Sequence, residues 1–401
     1  MASAPTSPAR RPSRALPELR LHLGALEHNV QLMADWCRAH RLELCPHVKT
    51  TMTRPVVERQ LAAGAWGVTV ATARQAGIAL SWGMRRILIA NQVVHPADLA
   101  FLRQRLDTTP GLELYCLVDS VAGLQHARAA LNGADNPLRM LVDVGVPGGR
   151  TGVRRPVDAQ ELGAAVAKAG DGLLLAGVAG YEGVRPNCRD AATLAAVDAH
   201  CRTTADAFAS LAPLYQTPRP VFSMGGSAFP DRVADTVADL ARQSASLPLV
   251  PVLRSGCYVT HDHGTYAHVS PLPGLRPALT VRAAVLSTPE PGTAVVGAGK
   301  RELPYDAGLP VLLAAYTASG APRPAPRATA AQIYDHHLVL TDTHDLDVGD
   351  TVDLGISHPC SAFDRWPDIT VTGDDGDVRD IWHPQFHLPE SAAHRHTNGQ
   401  P

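Results

Sequence analysis

From about residue 44 to residue 258 one pattern recurs: a short, nearly continuous apolar run, a turn, then a stretch in which Ala and Leu return at helical spacing. Eight apolar runs stand in order: 44–50 (LCPHVKT), 66–72 (WGVTVAT), 86–91 (RILIAN), 113–119 (ELYCLVD), 140–145 (MLVDVG), 174–183 (LLAGVAGYEG), 220–226 (PVFSMGG) and 250–258 (VPVLRSGCY). Between them lie segments such as PVVERQLAAG, ARQAGIALSWG and AATLAAVDAHCRTTADAFASLA. Apolar strands alternating with helices predict a parallel sheet covered on both faces. Eight such units fit a closed (β/α)8 barrel, with an open doubly wound sheet as the alternative. After residue 270 the helical patterns fade. Short β-like runs at 279–286, 293–296, 311–315, 337–340, 351–354 and 369–371 are separated by Gly, Pro and Asp turns, and a Pro-rich loop covers 320–327. They predict a second, β-rich domain. The expected division is a tail at 1–18, the barrel at 19–270, the β-rich domain at 271–388 and a second tail at 389–401.

Composition narrows the partners. The 401 residues are 45% hydrophobic and 18% charged, which excludes wholesale disorder. The formal net charge of −2 removes the usual electrostatic case for nucleic acid or an anionic membrane. No apolar run approaches the length of a transmembrane helix. The Arg-, Ser- and Pro-rich start MASAPTSPARRPSRA lacks the apolar stretch of a secretory signal and reads as a disordered tail, with a transit peptide as the alternative. Seven Cys without a CxxC pair fit a reducing cytoplasm better than a disulfide scaffold.

Catalytic groups of a barrel gather at the carboxyl ends of its strands. The first run ends in His47 and Lys49, the fifth leads into Arg150, the sixth carries Tyr181 and Glu182, the seventh ends in Gly225, Gly226 and Ser227, and the eighth ends in Arg254 to Tyr258. Paired glycines let backbone N–H groups approach a phosphate, and Ser227 adds a hydroxyl or caps the next helix. A phosphate site at one end and a lysine at the other point to pyridoxal phosphate held as a Schiff base. The run GVPGGRTG has the wrong glycine spacing for a dinucleotide fingerprint.

The motifs PHVKT (46–50), WGVTVATARQAG (66–77), DVGVPGGRTGV (143–153), GVAGYEG (177–183), SMGGS (223–227) and RSGCY (254–258) resemble the fold-type III pyridoxal phosphate enzymes, and most closely the D-serine dehydratase and D-threonine aldolase family. LRLHLGALEHNV (19–30) resembles that family's entry segment, and GDTVDLGISHPCSAFD (349–364) its C-terminal metal-binding segment. The resemblance implies an alanine racemase-like barrel followed by a β-rich domain, assembled as a homodimer. It makes Lys49 the Schiff-base lysine, with His47 beside it. Arg150 would face the cofactor's phenolate oxygen and Tyr181 its ring, while Gly225, Gly226, Ser227 and Tyr258 would hold its phosphate. His358 and Cys360 would be metal ligands. Two departures are Thr51, where the family often has a second histidine, and His22, where it usually has an acidic residue.

A sulfur and an imidazole favour zinc over magnesium, whereas the imidazole–carboxylate pair of the aldolase branch suits manganese. Cys360 therefore tilts the expectation toward a dehydratase acting on a small D-amino acid with a β-hydroxyl. An aldolase, a racemase and a non-catalytic cofactor carrier are the alternatives. His261-Asp262-His263 reads as a loop contact or outer support rather than a second metal site, His336 and His337 as satisfied or exposed, and the six cysteines other than Cys360 as small buried apolar residues.

Overall fold

The computed structural model describes residues 14–243, 248–324 and 326–388. Most of the expected tails, 1–13 and 389–401, lie outside the described residues. The chain opens with strand β1 (Glu18–His22) and helix α1 (Leu23–Ala39). The eight expected barrel runs follow as β2 (Glu43–Leu44), β3 (Val68–Val70), β4 (Arg86–Gln92), β5 (Glu113–Val118), β6 (Leu138–Val144), β7 (Leu173–Gly180), β8 (Val221–Met224) and β9 (Val250–Leu253). They pair in parallel in the order β2-β9-β8-β7-β6-β5-β4-β3. The ring closes where the Trp66 N–H donates to the Leu44 carbonyl (2.7 Å) and the Thr69 N–H to the Pro46 carbonyl (2.9 Å), with a parallel bridge between His47 and Thr69. This closure selects the barrel over an open sheet.

Alternation along each strand separates two apolar layers. On β5, Leu114, Cys116 and Val118 join the large core under the helices, while Tyr115 and Leu117 belong to a smaller cluster inside the barrel with Leu88, Leu141 and Val252. Inward residues near the amino ends are apolar, which leaves the carboxyl ends as the open mouth.

The second sheet has nine strands: β10 (Leu279–Ser287), β11 (Gly292–Val296), β12 (Val311–Tyr316), β13 (Thr329–Ile333), β14 (Leu338–Thr343), β15 (Thr351–Gly355), β16 (Ile369–Thr372), β17 (Val378–Trp382), and β1 itself. β1 runs antiparallel to β10 and parallel to β16, burying Leu19 and Leu21. The N-terminal strand thus belongs to the β-rich sheet, not to the barrel as expected, because its alternating ELRLH pattern suits a sheet with one buried face. β13 and β17 carry no long apolar run and were absent from the expected set. His22, the departure from the family pattern, sits in this strand and bonds the Thr280 hydroxyl through Nε2 at 3.0 Å.

α1 ties the two halves together. Its wholly buried Asn29 donates to the carbonyls of Val259 (3.2 Å) and Arg276 (2.7 Å) and accepts the Arg276 N–H at 2.8 Å. That fastens the turn Cys257–Val259, which follows β9.

Candidate active site

The barrel mouth holds a cavity of about 270 Å³. Its wall includes His47, Lys49, Arg150, Tyr181, Gly225, Gly226 and Ser227, all expected there, together with Asp143, Arg254, Cys257 and Cys360. Lys49 lies on a short 3-10 turn, Val48–Thr50, rather than in a strand, because β2 is only two residues long. The turn carries its amine to the cavity wall, and Lys49 has no hydrogen-bond or ion-pair partner among the described residues. Arg150, on the loop after β6, lays its guanidinium 4.8 Å from the centre of the Tyr181 ring, a cation–π contact. Burial pushes the Tyr181 hydroxyl up to about 12, so it stays protonated. Burial also holds His47 well below the ordinary histidine value, with Lys49 adding to the effect, so its imidazole is neutral.

The loop after β8 is built for close approach. Gly225 has a φ of +105°, and a Cβ there would stand 2.4 Å from Leu253 Cδ1. The Ser227 hydroxyl is buried without a partner among the described residues. The Gly226 N–H, expected to be free for a phosphate, instead donates at 2.8 Å to Oε1 of Glu182. That carboxylate is wholly buried, and burial raises its pKa. Arg254 is buried beneath the mouth, where it donates to the Ser223 hydroxyl and the Gly180 carbonyl. Tyr258 does not reach the cavity. It is buried in the core, and its hydroxyl accepts a hydrogen bond from Gln60 Nε2 at 3.0 Å. The reason is the turn at Cys257–Val259, which aims Cys257 into the cavity and Tyr258 away from it.

Cations therefore outnumber acids on the wall, and Lys49 and the Ser227 hydroxyl stand unpaired. Those are the properties that an anionic, carbonyl-bearing cofactor such as pyridoxal phosphate requires, and the residues fit it.

Across the mouth, the β-rich domain presents His358 and Cys360. Their donor atoms and the Cys257 sulfur all lie within 4.8 Å of one another. Cys257, expected to pack as a small buried apolar residue, instead lines the cavity beside them. The two sulfurs are 3.2 Å apart, and both cysteines are unpaired. The close approach of Cys257 and of His358 holds the Cys360 thiol well below its ordinary value, while the same contact with Cys360 drives Cys257 up. The Tyr266 ring packs on His358 at 5.5 Å. Two cysteine sulfurs with an imidazole are a donor set for a zinc-class ion.

The other histidines fall away from this site. Asp262 Oδ1 accepts the N–H groups of Gly264, Tyr266 and Ala267, so the His261-Asp262-His263 run builds a turn. His336 is exposed and pairs with Glu302 at 2.8 Å, and His337 is also exposed.

The chain matches the model of the alanine racemase N-terminal domain over residues 21–242 and that of a putative serine dehydratase domain over 278–372. It is 29% identical over 372 residues to a D-threonine aldolase from an Arthrobacter species, covering 91% of each chain. It is 32% identical over 139 residues to the D-threo-3-hydroxyaspartate dehydratase of Delftia sp. (strain HT23), 34% of this chain and 35% of that one. The crystal structure of D-threonine aldolase from Filomicrobium marinum superposes with a TM-score of 0.77 at 27% identity, over 92% of this chain and 95% of that one. Barrel, β-rich domain and both matched models agree: the chain belongs to the fold-type III pyridoxal phosphate enzymes, in the family of D-serine dehydratase and D-threonine aldolase.

Proposed function

We propose that this enzyme is a pyridoxal phosphate- and zinc-dependent dehydratase of D-3-hydroxy amino acids such as D-serine, releasing a 2-keto acid and ammonia. The observation that carries it is the sulfur of Cys360, rather than a carboxylate, beside His358 on the cavity that Lys49 also lines. When bound, pyridoxal phosphate supplies an electron sink for a carbanion at Cα, and a divalent ion supplies a Lewis acid for the β-oxygen. Lys49 Nζ, without a competing partner, accepts the Cα proton. Arg150 would hold the cofactor's phenolate oxygen and Tyr181 would flank its ring. The Ser227 hydroxyl would hold its phosphate, on the glycine loop of Gly225 and Gly226 that Glu182 fixes. His358 and Cys360 would hold the ion. Loss of the β-hydroxyl as water leaves an unsaturated amine, which hydrolyses to the keto acid and ammonia.

The homodimer and the cytoplasmic setting belong to the same reading; seven unpaired cysteines suit a reducing compartment. A second reading, retro-aldol cleavage to glycine and an aldehyde, is favoured by the full-length similarity to D-threonine aldolase. A racemase would need a second base facing Lys49, and the β-rich domain's contribution to the described cavity wall is Cys360.

The test is D-serine turnover by the protein supplied with pyridoxal phosphate. Pyruvate and ammonia, abolished by chelation and restored by zinc, support the reading. Undiminished turnover after chelation would overturn the role given to the metal.

A further inference from the structure

We propose that Cys257 is a third protein ligand of the metal, so that the ion rests on two sulfurs and one imidazole; this builds on the metal reading above. Cys257 comes from the barrel, at the end of β9, and the other two ligands come from the β-rich domain. The ion would therefore pin the two halves of the enzyme across the mouth.

Three observations carry this. The Cys257 and Cys360 sulfurs approach to 3.2 Å, well beyond a disulfide bond of about 2.05 Å. His358 Nδ1 is buried with no hydrogen-bond partner among the described residues. Cys257 shares the apolar core with Cys37, Cys116 and Cys201, but unlike them, and unlike Cys45, it also lines the cavity. Zinc bonds of about 2.3 Å to sulfur and about 2.0 Å to nitrogen place donors some 3.5–3.8 Å apart at tetrahedral angles. Donors already within 4.8 Å reach that spacing with side-chain shifts of about an ångström.

Three protein ligands leave a fourth position for a substrate oxygen, the pattern of catalytic rather than structural zinc. Two thiolates also select a soft ion against manganese and magnesium. Metal choice would then depend on a residue outside the His358–Pro359–Cys360 segment.

The experiment uses the full-length holoenzyme, stripped of metal and reloaded with cobalt(II) under reducing conditions. The readout is the thiolate-to-cobalt charge-transfer absorbance, with zinc affinity alongside. Cofactor absorbance and melting temperature serve as fold controls. Cys257→Ser and Cys257→Ala should each lose about half of that absorbance, as should Cys360→Ser. Zinc affinity should fall by more than the roughly 100-fold that a lost outer-shell partner costs. Full intensity in both Cys257 variants, with loss of the whole band in Cys360→Ser, would overturn the proposal and leave a two-residue site. No cobalt band in the wild-type protein would bring down the metal reading and this inference together.

Discussion

Glu182 Oε1 accepts the backbone N–H of Gly226 at 2.8 Å, so a carboxylate with no solvent exposure fixes the glycine loop expected to receive the cofactor phosphate. Removing the acceptor leaves the loop without its anchor. Glu182→Ala should weaken pyridoxal phosphate binding by about 10-fold or more, the effect of one lost charge-assisted hydrogen bond. Glu182→Gln, which keeps an acceptor oxygen, should recover most of it. Cofactor titration followed by absorbance measures both, and an unchanged affinity in Glu182→Ala would contradict the anchoring role.

Lys49 stands on the cavity wall with no partner among the described residues. Lys49→Ala should fold normally, bind the cofactor without the absorbance of a protein-linked Schiff base, and lose turnover by about 10³-fold or more. Cofactor that still resists removal after borohydride reduction of the variant would place the covalent link on another residue.

Asn29 makes three hydrogen bonds in a wholly buried setting, one of them to Val259 beside Cys257. Asn29→Ala leaves buried backbone groups unpaired and should cost about 2–3 kcal/mol in urea unfolding. Metal affinity should drop as well, because the turn carrying Cys257 loses its tie to α1. A loss of stability with metal binding unchanged would separate the two effects.

His200, on the helix Ala191–Ser210, is buried in the core, with Nε2 unpaired among the described residues and its pKa pushed down by burial to about 4. The unfolded chain takes up this proton near pH 6.5, and the folded chain only near 4. Stability is therefore intact at pH 7 and falls as pH drops through the window between those values. Between pH 7 and pH 5 the loss from this residue is about 2 kcal/mol. His200→Gln should lose correspondingly less over that interval, as read from urea midpoints at the two pH values. Equal losses in both proteins would contradict it.

The barrel and most of its mouth were legible in the sequence because a parallel strand buried on both faces leaves a continuous apolar run, and the residue after it marks the rim. Lys49, Arg150, Tyr181 and Gly225 to Ser227 line one cavity for that reason. Tyr258 was misplaced because one tight turn decides whether Cys257 or Tyr258 faces inward, and spacing alone does not encode that choice. Cys257 and Cys360 are 103 positions apart, so their contact exists only through the docking of the two domains. β1 was missed as part of the second sheet for the same reason: its partners β10 and β16 lie more than 250 residues away.

The most direct test of the central claim is the partition of one substrate between two bond cleavages. D-Threonine, incubated with the holoenzyme and zinc, can lose its β-hydroxyl or break its Cα–Cβ bond. Dehydration predicts 2-oxobutanoate and ammonia in equal amounts, with no glycine formed. Glycine and acetaldehyde in equal amounts would contradict the dehydratase and assign the aldolase in its place.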